Sequence, residues 1–368
     1  MQIKKISVYR VDLPLAHGGF QVSGGRAYSS IEDTVVVVET DEGISGIGES
    51  TPQGTDYLAA YAAGARSGIS ELSPHLVGKD PRELSKINEI MDRWLPGHPY
   101  VKTAIDMACW DILGKSVGLP VYSLMGGLLS ESPAVAVGIK TGPVEEMTAM
   151  LKQRQLEGFL HFSAKVGDDP DEDVARLKAL SSALQPGQII VADANRGWLP
   201  HQALRVMNAM SGANSIYYEQ PCHSYEECKM VRRVSMQPII LDECIDDVHD
   251  LVRAHGDNAA EAINLKISRV GGLTKMRQMR DLCASLGLAV YIQDAWGGAI
   301  VAAAIAHLAH STPTRILLGA WDPAGWNIKQ TAIGYPVTAN GHMEASEKPG
   351  LGVEPNMDVL GEPVATYQ

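Results

Sequence analysis

Five charged residues close short apolar runs: Lys165 after HFSA, Asp193 after IIVA, Glu219 after SIYY, Asp242 after IIL and Lys266 after AINL. The intervals between them are 28, 26, 23 and 24 residues, each enough for one strand, one helix and two loops. Apolar, β-branched runs that end on a single charge read as buried parallel strands whose last residue points into a shared mouth. Three carboxylates gathered there would form a hard-cation site suited to Mg²⁺, with positions left for substrate oxygens. Two lysines beside them would supply an acid/base pair. Such a set could pull a proton from the carbon next to a carboxylate, the cation offsetting the charge of the enediolate as it develops. Lys165 precedes the first acid and Lys266 follows the last, so the two amines should address opposite faces of one carbon. Burial and a nearby cation would lower their pKa towards neutrality.

One acid at a strand end is most often a helix N-cap or a loop hydrogen-bonder. A set in register on successive strands favours the catalytic reading. Glu243, next to Asp242, reads either as a residue steadying Lys266 or a ligand from behind, or as a solvated loop acid. Asp294, after the later run AVYIQ, reads either as a buried loop anchor or as a group acting near Lys266.

The elements that must carry these residues follow from periodicity. Up to about residue 60 the pattern is strand-like, in KISVYRVDLPL, TVVVVETDEG and GISGIGEST, with DEG as a hairpin signal. From about Ala59 it turns helical. The stretch TAIDMACWDILGKSVG sets Ala104, Met107, Ala108, Ile112 and Leu113 on one face, and ends on a glycine C-cap before Pro120. Residues 1–125 are therefore expected to form an α+β domain, with LMGG at its boundary. Residues 126–330 alternate strand and helix, the strands being AVAVGIK, HFSAKV, IIVAD, SIYYE, IILD, AINLKI, AVYIQD and RILLG. Eight such strands predict an α/β fold of the TIM-barrel type, with the active site at the strand C-terminal ends. A doubly wound open sheet would gather its ligands at one crevice instead. The tail, 331–368, has strand-like HMEAS and several Pro/Gly turns, and is expected to pack back on the first domain.

The chain has 368 residues, 45% of them hydrophobic, which suits a barrel plus a smaller domain. A formal charge of −12 argues against nucleic acid or an anionic membrane as the main partner. The five cysteines (Cys109, Cys222, Cys228, Cys244 and Cys283) are odd in number and lack CxxC spacing, as for reduced thiols in a cytoplasmic protein. The sequence has no signal-like opening and no run near 18 apolar residues, so secretion and membrane spanning are not expected.

The order Lys165, Asp193, Glu219, Asp242, Lys266, with GIGES early and LMGG before the barrel, resembles the enolase superfamily. More narrowly, it resembles the muconate-lactonizing branch of the mandelate-racemase-like proteins, over essentially the whole chain. The resemblance implies a (β/α)7β barrel under an N-terminal capping domain. It implies one Mg²⁺ per chain, with Mn²⁺ as a substitute, on Asp193, Glu219 and Asp242, and lysine bases at 165 and 266. It also implies capping loops near residues 17–30 and 50–60 that close over a small carboxylate substrate, and assembly as a homo-oligomer. Two departures stand out. Ser163-Ala164-Lys165 keeps only the second lysine of the family's Lys-x-Lys. The seventh strand ends Gln293-Asp294-Ala295-Trp296 without a histidine, so Lys266 must serve that face.

Trp321, at or just past the end of the eighth strand, reads either as a wall for a cationic nitrogen or as packing. Trp326, in the following loop, reads more readily as packing beneath the cap. Phe20, Tyr28 and Tyr57 are aromatic candidates in the lid, and Trp296 adds a fourth near the seventh strand. No arginine or third lysine is mapped to a strand end on this side. DAWGG and GAWDP look like the proline-betaine and hydroxyproline-betaine epimerase groups, whereas VSGGRAYSS and GESTP look more like the cis-3-hydroxy-L-proline dehydratase group. The expected reaction is α-proton abstraction from a proline-like or betaine-type acid, ending in racemisation or epimerisation. The alternative ending is loss of a β-hydroxyl. An N-acylamino acid or dipeptide racemase is a further alternative, weakened because Asp322 stands alone where those members carry Asp-x-Asp. An acid-sugar dehydratase lacks its histidine here. A non-catalytic barrel would be favoured had one of the five charges been lost, and no GxGxxG supports a hydride-transferring enzyme.

Overall fold

The valine run 35–38 crosses the middle of an antiparallel sheet that is buried on both faces, which is why it reads as continuous rather than alternating. The computed structural model describes residues 1–16, 18–22 and 25–368. His17, Ser23 and Gly24, part of the 17–30 segment expected to close over the substrate, lie outside the described residues. The sheet contains β1 (Ile3–Pro14), β4 (Ser30–Thr40) and β5 (Ser45–Ser50), with Val8 opposite Val36 and Val36 opposite Gly48. A two-stranded ribbon, β2 (Phe20–Val22) and β3 (Arg26–Tyr28), projects between β1 and β4. One face of the sheet (Ile6, Val8, Val36, Val38) packs on the helices Ala62–Leu76, Leu84–Trp94 and Pro99–Val117. The other face (Tyr9, Val11, Val35, Val37) joins the barrel core.

The helix Pro99–Val117 ends on Gly118 in the left-handed region (φ 71°), as its sequence predicts. Its burial is broader than the single face read from the sequence. Every residue from Tyr100 to Ile112 is buried, because the helix wedges between the cap sheet and the barrel. The polar members of that run serve the joint. Asp106 accepts from Thr274 N (3.0 Å) and Thr274 Oγ1 (2.6 Å), and Asp111 from Leu351 N (2.8 Å) and Ile47 N (3.1 Å). A Cβ at Gly46 or Gly48 of β5 would collide with the Ala108 and Ala104 carbonyls, so the glycines of GISGIG permit this approach.

The barrel closes through eight parallel strands: β6 (Val135–Ile139), β7 (His161–Lys165), β8 (Ile189–Asp193), β9 (Ile216–Glu219), β10 (Ile239–Leu241), β11 (Ala262–Lys266), β12 (Ala289–Gln293) and β13 (Leu317–Trp321). Helices fill the seven connections, and β13 leads instead into the short 3₁₀ turn Ala324–Trp326. The fold is thus (β/α)7β with an N-terminal α+β domain, as expected. The helix Ala299–His310 is buried along its whole length, between barrel and cap, which accounts for its nearly all-apolar sequence. Among the described residues no helix is long and apolar enough to cross a membrane.

The tail departs from the reading in one respect. HMEAS is not a strand. His342 makes only single bridges, to Ala134 and Ala339, and Met343 N donates to Pro133 O (3.2 Å), so this segment seats the start of β6. After β14 (Ala332–Ile333) and β15 (Glu354–Pro355), the chain reaches β16 (Ala365–Tyr367), which pairs antiparallel with the outer edge of β1. The five cysteines are free thiols.

Candidate active site

Register brings the charged strand ends together. Lys165 pairs with Asp193 across β7 and β8, and Asp193 with Glu219 across β8 and β9. Asp242 follows β10 directly, and Lys266 ends β11. None of the three acids caps the helix that follows it. Those helices begin at Leu199, at Ser224 (in a capping box with Glu227) and at Asp247, which accepts from His249 N (2.7 Å) and Asp250 N (3.1 Å). The common structural use of a strand-end acid is therefore taken by other residues, and all five charged groups are buried instead.

Each lysine clasps an end of the acidic row. Lys165 Nζ donates to Asp193 Oδ2. Lys266 Nζ donates to Asp242 Oδ2 and to Tyr57 Oη, both at 2.7 Å. On its far side Asp242 Oδ1 accepts from Arg269 Nη1 (2.7 Å). Glu219, in the middle, accepts from Asn264 Nδ2 at 2.6 Å. Asn195 Nδ2 bridges Asp193 Oδ2 (3.1 Å) and Glu243 Oε1 (3.3 Å).

The charges push one another as their proximity requires. Burial raises the Glu219 carboxyl well above the ordinary range, Asp193 and Asp242 raise it further, and the two lysines oppose this. Burial also works against the Asp242 carboxylate, but Arg269 and then Lys266 outweigh it and hold its pKa low. Burial lifts Glu243 to about 7, helped by Asp242 and Asp193. Lys165 departs from expectation. Burial does work to lower its pKa, but Asp193 and Glu219 prevail and the net shift is upward, so in this arrangement Lys165 is held as an ammonium.

Among the described residues no three Asp, Glu, His or Cys side chains stand close enough to hold a metal ion as they are. The reason is visible in the contacts, since lysines occupy one oxygen each of Asp193 and Asp242. The donor chemistry nonetheless fits a hard divalent cation: three carboxylates on adjacent strand ends, the middle one destabilised by its neighbours, with Asn195 Oδ1 and Glu243 Oε2 buried and unpartnered beside them.

Asp193, Glu219, Lys165 and Lys266 line a cavity of about 50 Å³, with room for a few waters at most. Phe20, Trp296 and Trp321 form its aromatic wall. The Phe20 and Trp296 rings are 5.2 Å apart and Trp296 and Trp321 5.3 Å, both edge-to-face, and Lys165 Nζ lies 5.7 Å from the Phe20 ring centre. Trp326 backs Phe20 at 5.0 Å. Tyr28 stays on the cap ribbon, donating to Asp56 Oδ1 (2.9 Å). Tyr57 and Asn195 also line a much larger outer cleft of about 1060 Å³, so Tyr57 forms part of the partition between the two spaces. Asp242 reaches neither cavity, being sealed behind Lys266, Tyr57 and Arg269.

Asp294 anchors a loop and also lines the cavity beside Lys266, whose charge acts on it. It accepts from Ser268 N (3.2 Å), Ser268 Oγ (2.7 Å) and Ala295 N (2.7 Å), and burial raises it to about 6. Asp322 is engaged by Thr338 Oγ1 (2.6 Å) and Gly325 N (3.2 Å). A third lysine does stand at the rim. Lys140 directly follows β6, the neighbour of β13, and burial with the Arg154 guanidinium lowers its pKa. The sequence carried that signal in the run AVAVGIK. Asn264, two residues before Lys266 and so on the same strand face, was equally open to a period-2 reading. Asn195 and Arg269 follow the strands and carry no periodic signal.

Residues 5–126 match the mandelate racemase/muconate lactonizing enzyme N-terminal domain, and residues 146–359 match the enolase C-terminal domain-like family. The chain belongs to the mandelate racemase/muconate lactonizing enzyme family of the enolase superfamily. It is 47% identical over 367 residues, 100% of both chains, to a cis-3-hydroxy-L-proline dehydratase from Roseibium aggregatum. It is 28% identical to an N-succinyl-L-Arg/Lys racemase from Bacillus cereus, covering 98% of each chain. A member of the enolase superfamily from Roseovarius nubinhibens, solved complexed with magnesium, superposes with a TM-score of 0.94 at 39% identity, covering 100% of this chain and 99% of that one. Family membership brings the chain among metal-using enzymes that act on small carboxylates.

Proposed function

We propose that this family member removes the α-proton of a proline-like carboxylate and that, from a hydroxylated ring, the reaction ends in loss of water. The observation that carries the reading is the pairing of Lys165 and Lys266 with opposite ends of one buried acidic row. Asp193, Glu219 and Asp242 would hold a divalent cation, Mg²⁺ or Mn²⁺ in its place. Such a cation would neutralise charge that develops on the substrate carboxylate. The aromatic wall of Phe20, Trp296 and Trp321 would take the ring nitrogen as a cation. The 47% identity to a cis-3-hydroxy-L-proline dehydratase over the full length favours dehydration.

In that reaction one lysine first gives up to solvent the proton it carries in this arrangement and, as the neutral amine, takes the Cα proton. The C–H electron pair becomes the Cα=Cβ bond, the Cβ–O bond breaks, and the other lysine, as the ammonium, protonates the departing hydroxide to water. The enamine then tautomerises to a cyclic imine. Proton return on the opposite face, giving racemisation or epimerisation, is the second reading. Two flanking lysines and the racemase relative favour it. A dipeptide substrate is less well served, because Asp322 is already hydrogen-bonded within the fold.

Self-association has a physical basis in exposed apolar pairs one turn apart on adjacent barrel helices: Met230 and Val234 on Tyr225–Val234, Val248 and Val252 on Val248–Gly256. The five free thiols are in keeping with a cytoplasmic setting.

The test is incubation of the Mg²⁺-loaded chain with cis-3-hydroxy-L-proline and with L- and D-proline in D₂O, followed by NMR. Cyclic imine from the hydroxylated acid supports dehydration, and deuterium at Cα of proline supports the second reading. Neither product from any ring acid would overturn both.

A further inference from the structure

Gln53 follows β5 in the cap and lines the catalytic cavity while only 5% exposed. Its Nε2 is buried and finds no acceptor. Among the described residues, no other side chain lining this cavity holds a buried donor nitrogen without a partner. The neighbouring amides are engaged: Asn195 donates to Asp193 and Glu243, and Gln293 Oε1 accepts from Asn264 Nδ2 (3.2 Å). A buried amide nitrogen without a partner is costly unless something outside the chain satisfies it.

Its position is fixed rather than incidental. Ser50 Oγ donates to Tyr100 O (2.7 Å) and Thr51 Oγ1 to Asp33 Oδ1 (2.7 Å), tying down the chain just before it. Gly54 N donates back to Pro52 O (2.9 Å), so Gln53 sits at the apex of a tight turn. Gly54, the next residue, adopts φ +73°, a region that glycine enters freely. An amide held over a closed cavity in this way is preorganised for a ligand group.

We propose that the Gln53 amide recognises the ring hydroxyl of the substrate and so selects a hydroxylated ring acid over its unsubstituted counterpart. This rests on the reading under Proposed function. There the substrate carboxylate lies towards Asp193 and Glu219, and its nitrogen towards the aromatic wall. The ring hydroxyl meets only the proton-donating lysine there, which leaves a second polar contact to it open. A hydroxyl both donates and accepts, so it matches an amide presented by either of its ends.

The experiment compares wild type with Gln53→Leu and the volume-conserving Gln53→Met, each loaded with Mg²⁺. It measures kcat/KM for imine formation from cis-3-hydroxy-L-proline, and the inhibition constant of L-proline in the same assay. The expected result is a loss of about a hundredfold in kcat/KM, with the L-proline constant changed less than about twofold. Parallel losses in both, in both variants, would make Gln53 a support of the loop or a contact to carboxylate or nitrogen, and would overturn the proposal. An unchanged kcat/KM would do so too. A wild type that makes no imine would instead sink the dehydration reading and this inference with it.

Discussion

Lys266 on β11 and Tyr57 in the cap loop, 209 residues apart, meet at 2.7 Å between Nζ and Oη. One hydrogen bond thus ties the lid to a lysine of the barrel rim, and the Lys266 ammonium also lies 5.2 Å from the Tyr57 ring centre. The same lysine is clasped by Asp242, so the cap loop and the sealed acid are parts of one arrangement. Burial, then the Asp242 and Glu243 charges, raise the Tyr57 phenol well above its ordinary range, so it stays protonated and Lys266 must be the donor between them. A bond to a charged group contributes about 1.5–3 kcal/mol. Tyr57→Phe should therefore raise the opening equilibrium of residues 51–60 by about one to two orders of magnitude. Amide hydrogen exchange across that segment reads this directly, and unchanged protection would show that the contact does not hold the lid.

The two lysines lie on β7 and β11, with β8, β9 and β10 between them in the barrel wall. If each serves one face of the α-carbon, Lys165→Ala and Lys266→Ala should abolish α-proton exchange from opposite enantiomers of proline. Each loss should be about 10²–10⁴-fold. NMR in D₂O with the separate enantiomers measures it. Equal loss for both enantiomers in both variants would assign the lysines to one joint task rather than to separate faces.

Glu219 carries a different signature. Its carboxylate is opposed by burial and by two neighbouring carboxylates. Glu219→Gln removes that repulsion, so the metal-free variant should melt higher than metal-free wild type, by about 1–2 °C for each kcal/mol relieved. The same change should shrink the upward shift in melting temperature caused by Mg²⁺, because a ligand is lost. Chelation should abolish wild-type turnover, and Mn²⁺ should restore it. A variant that melts lower without metal, or gains as much from Mg²⁺ as wild type, would remove Glu219 from the cation site.

Much of this was legible in the chain because a barrel strand is short, apolar and ends where the chemistry is. Lys165, Asp193, Glu219, Asp242 and Lys266 announce themselves against such runs. Their engagement with one another was not legible. That Lys165 is held as an ammonium follows from two carboxylates outweighing burial in space, whereas the sequence offered burial and a nearby cation as guides. Arg269, three residues past Lys266, has no local signal that its guanidinium meets Asp242. HMEAS alternates like a strand, but its neighbours offer it only isolated bridges. The helix Pro99–Val117 has polar residues off the apolar face read from its sequence, and these bind backbone amides at the cap–barrel joint. A polar residue buried for a partner far along the chain leaves no local periodic trace.

The barrel interior carries its own pH dependence. His161, at the start of β7, has Nδ1 3.1 Å from Tyr291 Oη on β12. Burial, with a smaller contribution from His342, lowers its pKa from 6.5 to about 4. The unfolded chain therefore takes up a proton near pH 6.5 that the folded chain refuses until about pH 4. Stability present above pH 6.5 is lost as pH falls across that window, and the loss is complete below about 4. At about 1.4 kcal/mol per unit, His161 alone accounts for roughly 3 kcal/mol. His307, whose pKa burial also lowers to about 4, adds to the slope. His161→Gln keeps a partner for the Tyr291 hydroxyl but removes the titration. Urea unfolding of this variant at pH 7 and pH 4.5 should show a smaller acid loss than wild type. Identical pH curves for the two proteins would mean that the His161 ring takes up its proton as readily inside the barrel as in water.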